Sequence, residues 1–134
     1  MQSPIKNLDV LIKNMEPVKG PTCAFCQIDD RTFRSIAAMP LAMFSESEGV
    51  TAIYPLEVAE SLGLPISWVG TQITLNVHSS LDAVGFLARI TTALAAHDIS
   101  VNAFSPVSHD HLFVKPEDVE KTMATLLAMA RMAE

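Results

Sequence analysis

The clearest hydrophobic pattern lies in the second half of the chain. Ile73, Leu75 and Val77 alternate with polar residues, and this period of two predicts a strand with one buried face. Apolar residues then recur at helical spacing between Asp82, which suits an N-cap, and His97. The pattern therefore predicts a strand that is followed by an amphipathic helix.

Two more strands and a last helix are predicted beyond that helix. Alternation over residues 99–103 indicates one strand, and residues 111–115 return as another after a turn. Pro116 suits the first position of a helix whose apolar stripe includes Val119 and Leu126. The second half is thus predicted to run strand, helix, strand, strand, helix.

The beginning of the chain predicts a helix and then a strand. The helix fits residues 5–15, with Ser3 as its cap, and the prolines and glycine of residues 17–21 are expected to end it. Residues 22–28 are predicted as a strand. A polar, irregular connection is expected over residues 29–38.

The rest of the first half predicts a hairpin and a short helix. Strands are expected over residues 41–45 and 50–54, joined across a polar turn. Pro55 opens the helix, and Gly63 is expected to terminate it after Leu62.

An internal repeat relates the two halves. Phe44 precedes a turn, a strand and Pro55, as Phe104 precedes a turn, a strand and Pro116, at an offset of 60 to 61 residues. The matched order of elements favours a duplication over chance similarity. Two related half-domains would then build one α+β protein.

Composition limits the classes of function. Hydrophobic residues make up 49% of the chain and the mean hydropathy is +0.30, which favours a well-buried fold. The net charge is −6 with nine scattered Lys and Arg, so neither nucleic acid nor an anionic membrane surface is an expected partner. No apolar run approaches the ~18 residues of a membrane span, and no signal-peptide pattern opens the chain. A cytoplasmic protein is expected.

The two cysteines form a C-x-x-C motif, which can indicate redox or zinc chemistry. Cys23 and Cys26 lie in a predicted strand, however, where residues three apart point to opposite faces. No second C-x-x-C would complete a zinc site. We therefore expect two reduced cysteines in half-buried strand positions, and neither a metal nor a cofactor.

Two segments resemble the pattern of a known family, namely residues 82–90, DAVGFLARI, and residues 96–101, AHDISV. These segments closely resemble the ACT-domain pattern, in which a strand leads into D-x-x-G-x-L-A-R-I, a helix and a second strand. The wider context resembles small bacterial tandem ACT proteins of unassigned role, which are related in domain plan to eukaryotic arginine-sensing ACT proteins. The resemblance implies an α+β, ferredoxin-like fold of the βαββαβ type.

The same resemblance implies two ACT-like half-domains in tandem, a divergent one over residues 1–65 and an ACT domain over 66–134. Two departures are visible in the sequence. Asp98 replaces a common Gly before the second strand, so the exit from the helix is expected to differ slightly. Residues 29–38 lack a Gly-bearing loop, so the first half is not expected to bind a ligand alone.

The resemblance implies a non-catalytic sensor that binds an amino acid. Backbone N–H groups at the start of the predicted helix, near Ala83, can hold a ligand carboxylate. In the arginine sensors, an Asp before the residue that matches His111 contacts the ligand amine, and Asp110 aligns with that Asp. A turn-forming role for Asp110 and a packing role for Gly85 are the structural alternatives. The expected ligand-binding residues are Ser79, Ser80, Leu81, Asp82, Val84, Gly85, Asn102, Val107, His109 and Asp110.

Two other classes of function remain open. A metal-dependent enzyme could use His78, His109, Asp110 and His111, although the sequence offers no helical pair of histidines. A ligand-free interaction module is the third hypothesis. ACT units often pair edge to edge, so the resemblance also implies a homodimer.

Overall fold

A computed structural model describes residues 4–133 of the protein. It divides into two compact units. The major unit comprises the described residues up to Gly20 together with those from Thr71 onward, and the minor unit is Pro21–Gly70. The division predicted from the sequence lies between residues 65 and 66 and makes each half one continuous stretch of the chain.

The described residues form five α-helices, six strands and one 3-10 helix. In chain order they are α1 (Leu8–Lys13), β1 (Pro17–Ile28), α2 (Asp30–Ser35), β2 (Ala42–Glu46), β3 (Gly49–Pro55), α3 (Leu56–Ser61), β4 (Trp68–Leu75), α4 (Phe86–Ala96), β5 (Asn102–Phe104), β6 (Asp110–Val114), the 3-10 helix (Pro116–Asp118) and α5 (Val119–Met132).

In the minor unit, β3 pairs antiparallel with both β1 and β2. Its helices pack on a small core to which Ala24, Cys26, Val50, Ala52 and Tyr54 belong. Alternate residues of β1 and β3 enter this core, as the pleat of a sheet requires. The minor unit therefore has the order β2–β3–β1.

In the major unit, β6 pairs antiparallel with both β4 and β5. Its order, β5–β6–β4, repeats that of the minor unit. The core joins Leu11 of α1, Leu75 of β4, Ile90 of α4, Leu112 of β6 and Leu126 of α5, all of which are fully buried. Three helices thus share one hydrophobic core with this sheet.

The predicted repeat has a direct counterpart in strand register. Phe44 lies opposite Thr51 in the first hairpin, and Phe104 lies opposite His111 in the second. Each hairpin leads into a helix after a proline, Pro55 in one case and Pro116 in the other. The α+β fold with two tandem halves is confirmed.

The start of the chain differs from the sequence expectation. The first helix begins at Leu8 and is capped by Asn7, whose side-chain oxygen accepts a hydrogen bond from the N–H of Val10 at 3.1 Å. Ile5 is not helical, because its backbone pairs with Ser79 in a parallel bridge. The predicted cap, Ser3, lies outside the described residues.

Two further predictions for the first half were wrong. The first strand starts at Pro17, whereas it was expected to start at residue 22. The connection expected to be irregular contains α2, which Asp29 caps by accepting from the N–H of Thr32 at 3.0 Å. Asp is among the most favourable N-cap residues. The hydrophobic pattern did not indicate α2, because this helix is short and buries no residue.

The second half follows its predicted order of elements, but the helix after β4 begins later than expected. Gly85, not Asp82, is its N-cap, with a φ of 92°. Asp82 is exposed, and its N–H donates to Ser80 Oγ at 3.1 Å. β4 also ends at Leu75, two residues early, and ten residues therefore connect β4 to α4.

The exit from α4 keeps a left-handed residue although the usual glycine is missing. Asp98 has a φ of 59°, its N–H donates to the carbonyl of Ala95, and Ile99 donates to that of Leu94. The closing hydrogen bonds of the helix are thus made with an aspartate in the strained position.

The cysteines are more buried than expected. Cys23 and Cys26 are free and are at most 1% exposed, on opposite faces of β1, since only Cys26 shares a core with Ala24 and Ile28. Burial raises the pKa of Cys23 to about 11 and also raises the pKa of Cys26. Among residues 4–133, no helix is long and apolar enough to cross a membrane.

Candidate functional site

A cavity of about 140 Å³ lies in the major unit, between the loop that follows β4, the start of α4 and the turn before β6. The loop contributes four lining residues, α4 two and the turn region three. They are Ser79, Ser80, Leu81, Ala83, Phe86, Leu87, Ser105, Pro106 and Asp110. All belong to the ACT-like half that the sequence singled out.

Among the described residues that line this cavity, Asp110 supplies the one acidic side chain. It is the first residue of β6, where it lies opposite Leu75, and its side chain is only 7% exposed. Ser79 Oγ donates a hydrogen bond to Asp110 Oδ2 at 2.9 Å. Because a buried carboxylate is costly without such partners, the serine both satisfies and orients it.

The start of α4 also lines the cavity, through Phe86 and Leu87. The first helical hydrogen bond runs from the N–H of Arg89 to the carbonyl of Gly85, at 2.9 Å. The preceding N–H groups, those of Phe86, Leu87 and Ala88, have no partner within the helix. No side chain caps the helix, because its N-cap is Gly85. Unsatisfied donors and the positive end of the helix dipole together favour an anion.

Gly85 is required by its backbone conformation and not by crowding. A Cβ built at this position would lie 3.7 Å from Leu8 Cδ2, an ordinary van der Waals distance. Its φ of 92°, however, is one that residues with side chains rarely adopt. The glycine therefore allows the chain to turn into α4.

The loop that carries Ser79 is held by the N-terminal segment. The N–H of Ile5 donates to the carbonyl of His78, and the N–H of Ser80 donates to the carbonyl of Ile5, each at 2.8 Å. Ala83 closes the loop with a hydrogen bond to the carbonyl of Ser80 at 3.0 Å. These backbone bonds fix the position from which Ser79 reaches Asp110.

Four of the ten expected ligand residues line this cavity, namely Ser79, Ser80, Leu81 and Asp110. The structure places the other six outside the lining. Leu81 itself is 68% exposed, so only part of it faces the cavity. The six residues outside the lining are Asp82, Val84, Gly85, Asn102, Val107 and His109.

The sequence did not indicate several of the residues that line this cavity. Phe86 and Leu87 lie in the segment that resembles the family, and Ser105 and Pro106 immediately precede Val107, which was proposed. Val107 is 67% exposed. Which residues of this turn point towards the cavity depends on tertiary structure.

His109 and His111 flank Asp110 in the sequence. His111 Nδ1 lies 2.9 Å from Thr74 Oγ1, and the rings of His109 and His111 are 6.4 Å apart. Burial and the neighbouring His109 lower the pKa of His111, and Asp110 opposes this shift. Within residues 4–133, no three His, Cys, Asp or Glu side chains are grouped as metal ligands.

Comparison with known proteins identifies the family. Two models of the ACT domain match the chain, one over residues 3–69 and the other over residues 69–128. The chain belongs to the ACT domain family. ACT domains generally bind small-molecule ligands such as amino acids, and they are typically regulatory and non-catalytic.

Several solved structures are similar to this chain. A protein of unknown function from Vibrio cholerae, described as a possible transport protein, is 37% identical over 89% of this chain and 92% of its own, with a TM-score of 0.79. An aspartate kinase from Clostridium acetobutylicum matches 87% of this chain and 34% of its own at 11% identity and a TM-score of 0.65. A putative C-terminal regulatory domain of aspartate kinase from Porphyromonas gingivalis matches 85% of this chain and 94% of its own at 15% identity and a TM-score of 0.53. No curated protein matches the chain.

Proposed function

We propose that this ACT protein is a non-catalytic sensor that binds a free amino acid in the cavity at Asp110. The observation that carries the proposal is the pairing of a buried carboxylate with an uncapped helix start across one small cavity. The ligand ammonium would lie against Asp110, and the ligand carboxylate would accept from the first N–H groups of α4.

The cavity volume favours a short ligand side chain. At about 140 Å³, the space is well below the ~300–1,000 Å³ typical of sites for drug-sized ligands. Leu87 and Pro106 in the lining suit an aliphatic group, and Asp110 is the one charged residue among the described residues that line the cavity. A second carboxylate, which a guanidinium would need, is absent from this lining, so small neutral amino acids fit better than arginine.

The test is a thermal-shift screen of the twenty amino acids with the full chain, followed by calorimetric titration. A ligand at ~100 times its dissociation constant should add about 2.7 kcal/mol to the free energy of unfolding. Asp110→Asn should weaken binding about 10- to 100-fold, because hydrogen bonds to a charged group contribute ~1.5–3 kcal/mol. Ser79→Ala should weaken binding less.

Asp98→Asn is the matched control, since Asp98 is an exposed aspartate at the far end of α4 and Asn tolerates the left-handed conformation. Unchanged affinity in Asp110→Asn would contradict the site. If no amino acid changes the unfolding midpoint, the interaction-module hypothesis replaces the sensor. Stabilisation by Zn²⁺ alone, reversed by EDTA, would favour the metal-dependent alternative.

We also propose that the protein forms a homodimer through β2. Among the residues that the structure describes, this edge strand pairs only with β3, and it exposes Met43 by 42% and Phe44 by 66%. Unpaired backbone groups on such an edge can pair with another strand. Antiparallel pairing of two copies about Phe44 would place Glu46 opposite Ala42, which avoids repulsion between like charges. Light scattering should show a dimer that Phe44→Asp converts to a monomer.

A further inference from the structure

A second and larger cavity lies in the major unit, away from Asp110. Its volume is about 510 Å³, and it is formed by the end of α1, the residues that directly follow β4 and the last turns of α5. No residue of its lining is shared with the cavity at Asp110. The residues that define its character are Lys13, Asn14, Glu16, Asn76, Val77 and Leu127.

Two opposite charges line this cavity without neutralising each other. Lys13 and Glu16 both contribute to the lining, yet neither takes part in an ion pair with any residue that the structure describes. Asn14 donates its side-chain N–H to the carbonyl of Val10 at 2.9 Å, which leaves its amide oxygen to accept. A positive, a negative and a polar neutral group are therefore available to one ligand.

The backbone at Glu16 is held in an uncommon conformation. Glu16 has a φ of 43°, in the left-handed region that costs residues other than glycine about 1–2 kcal/mol. Its carbonyl accepts a hydrogen bond from the N–H of Asn76 at 3.2 Å. This bond links the end of α1 to the end of β4 and keeps the Glu16 side chain at the cavity. Strained residues held in this way are common at ligand sites.

The remaining wall is apolar. Val77 is buried, whereas Leu127 is 46% exposed although it faces the cavity. Ile5, Pro17 and Ala130 complete this side. A cavity of this volume lies within the ~300–1,000 Å³ range of small-molecule sites, which typically combine an apolar lining with a few polar groups.

We propose that this cavity is a second ligand site, which binds a zwitterion with an aliphatic body, either a branched-chain amino acid or an aliphatic dipeptide. Lys13 would hold the carboxylate of the ligand, Glu16 its ammonium, and Val77 and Leu127 its apolar part. The proposal is independent of the amino-acid site at Asp110, because the two cavities share no lining residue.

The test is a titration of the ¹⁵N-labelled full chain with leucine and with the dipeptide Leu-Leu, followed by amide NMR. Signals of Asn14, Asn76 and Leu127 should shift. Isoamylamine, which lacks the carboxylate, and 4-methylpentanoate, which lacks the ammonium, should each bind at least tenfold more weakly than leucine. These probes separate recognition of a zwitterion from simple apolar binding.

Lys13→Gln and Glu16→Gln should each weaken binding about fivefold or more, whereas Asp110→Asn should leave these shifts unchanged. Lys13 and Glu16 are both exposed, and glutamine matches glutamate in length and is one atom shorter than lysine, so the variants should fold. The proposal is overturned if neither probe shifts these signals at about 10 mM. It is equally overturned if both charge variants bind as the wild type does, or if a single-charge analogue binds as tightly as leucine.

Discussion

Asp98 shows what a single strained residue costs this protein. It ends α4 in the left-handed conformation, with a φ of 59°. A side chain makes this conformation unfavourable, and a negative charge near the C-terminus of a helix is unfavourable as well. The closing hydrogen bonds nevertheless form, so the helix exit is kept at the expense of stability.

Asp98→Gly should therefore stabilise the protein by about 0.5–1 kcal/mol, because glycine adopts a positive φ without steric penalty. Urea unfolding of both proteins at neutral pH measures the difference. Asp98→Ala is the control, since it removes the charge but keeps the Cβ. If Asp98→Ala stabilises the protein as much as Asp98→Gly does, the penalty is electrostatic and not conformational.

His111 makes the stability depend on pH. Its pKa is lowered in the folded protein, first by burial and then by His109, so the unfolded chain binds a proton more readily than the folded one. Stability should consequently fall as the pH drops below the ordinary histidine value of about 6.5, towards the lower folded pKa. Above that value, this group contributes no pH dependence.

Denaturant unfolding at pH 7.5 and pH 5.5 tests this expectation. The wild type should lose stability at the lower pH, and His111→Gln should lose less, because it removes the group whose protonation is resisted. His97→Gln is the comparison, since His97 is an exposed histidine at the end of α4. Equal losses in His111→Gln and the wild type would assign the pH dependence to other groups.

At the scale of elements, the two halves differ most in how the first strand reaches its helix. Only Asp29 separates β1 from α2, whereas ten residues separate β4 from α4. The long connection holds Ser79 and the glycine that starts α4, and the short one holds only a helix cap. Only the major unit therefore has a loop that can enclose a ligand between strand and helix.

Gly85→Ala tests that loop. The substitution should cost about 1–2 kcal/mol of stability, because the space for a Cβ exists but the φ of 92° disfavours it. The same change should weaken amino-acid binding, since it alters the approach to the N–H groups at the start of α4. Urea unfolding and titration with the identified amino acid give the two readouts.

Gly63→Ala is the matched control for this variant. Gly63 ends α3 with a φ of 65°, and nothing lies within 4 Å of a Cβ built there. Its substitution should cost a similar free energy and leave ligand binding intact. Undiminished binding in Gly85→Ala would show that the entry into α4 does not shape the site.

Local pattern predicted the elements of the second half well and their ends less well. The alternation at Ile73 and Leu75 and the stripe through Ile90 indicate β4 and α4, because these residues enter one core. Asp82 has the chemistry of a cap, but the helix starts where Gly85 permits the turn. Ile5 fits a helix by spacing, yet its pairing with Ser79 decides its conformation. Such tertiary pairings leave no local signal.

The candidate site was predictable to the same extent. The family pattern indicated the loop after β4 and Asp110, and in the structure both line one cavity. Which residues of the loop face the cavity could not be inferred from the sequence. Ser80 lines the cavity and Asp82 does not, and this difference depends on how the loop folds between β4 and α4. The second cavity had no sequence signal, since its lining comes from the region of α1, the residues after β4 and α5, which are far apart in the chain.

At the scale of the whole molecule, the ACT domain of the second half is not closed by its own residues. Its core includes Leu11, Ile12 and Met15, which belong to α1 or follow it directly, and each is at most 2% exposed. The matched ACT segment begins only at residue 69. Helix α1 therefore completes a core that is otherwise built from residues more than fifty positions away.

We accordingly expect a fragment of residues 69–134 not to fold cooperatively as a monomer. Burial of each of the three side chains contributes about 1.5–3 kcal/mol, so their loss approaches the ~5–15 kcal/mol by which a whole domain is stable. Amide NMR of the fragment should show poor dispersion, and a peptide of residues 4–20 added in trans should restore it. In the full chain, Leu11→Ala should cost about 2–5 kcal/mol. A well-dispersed fragment spectrum without the peptide would mean that the segment matched by the family model folds without α1.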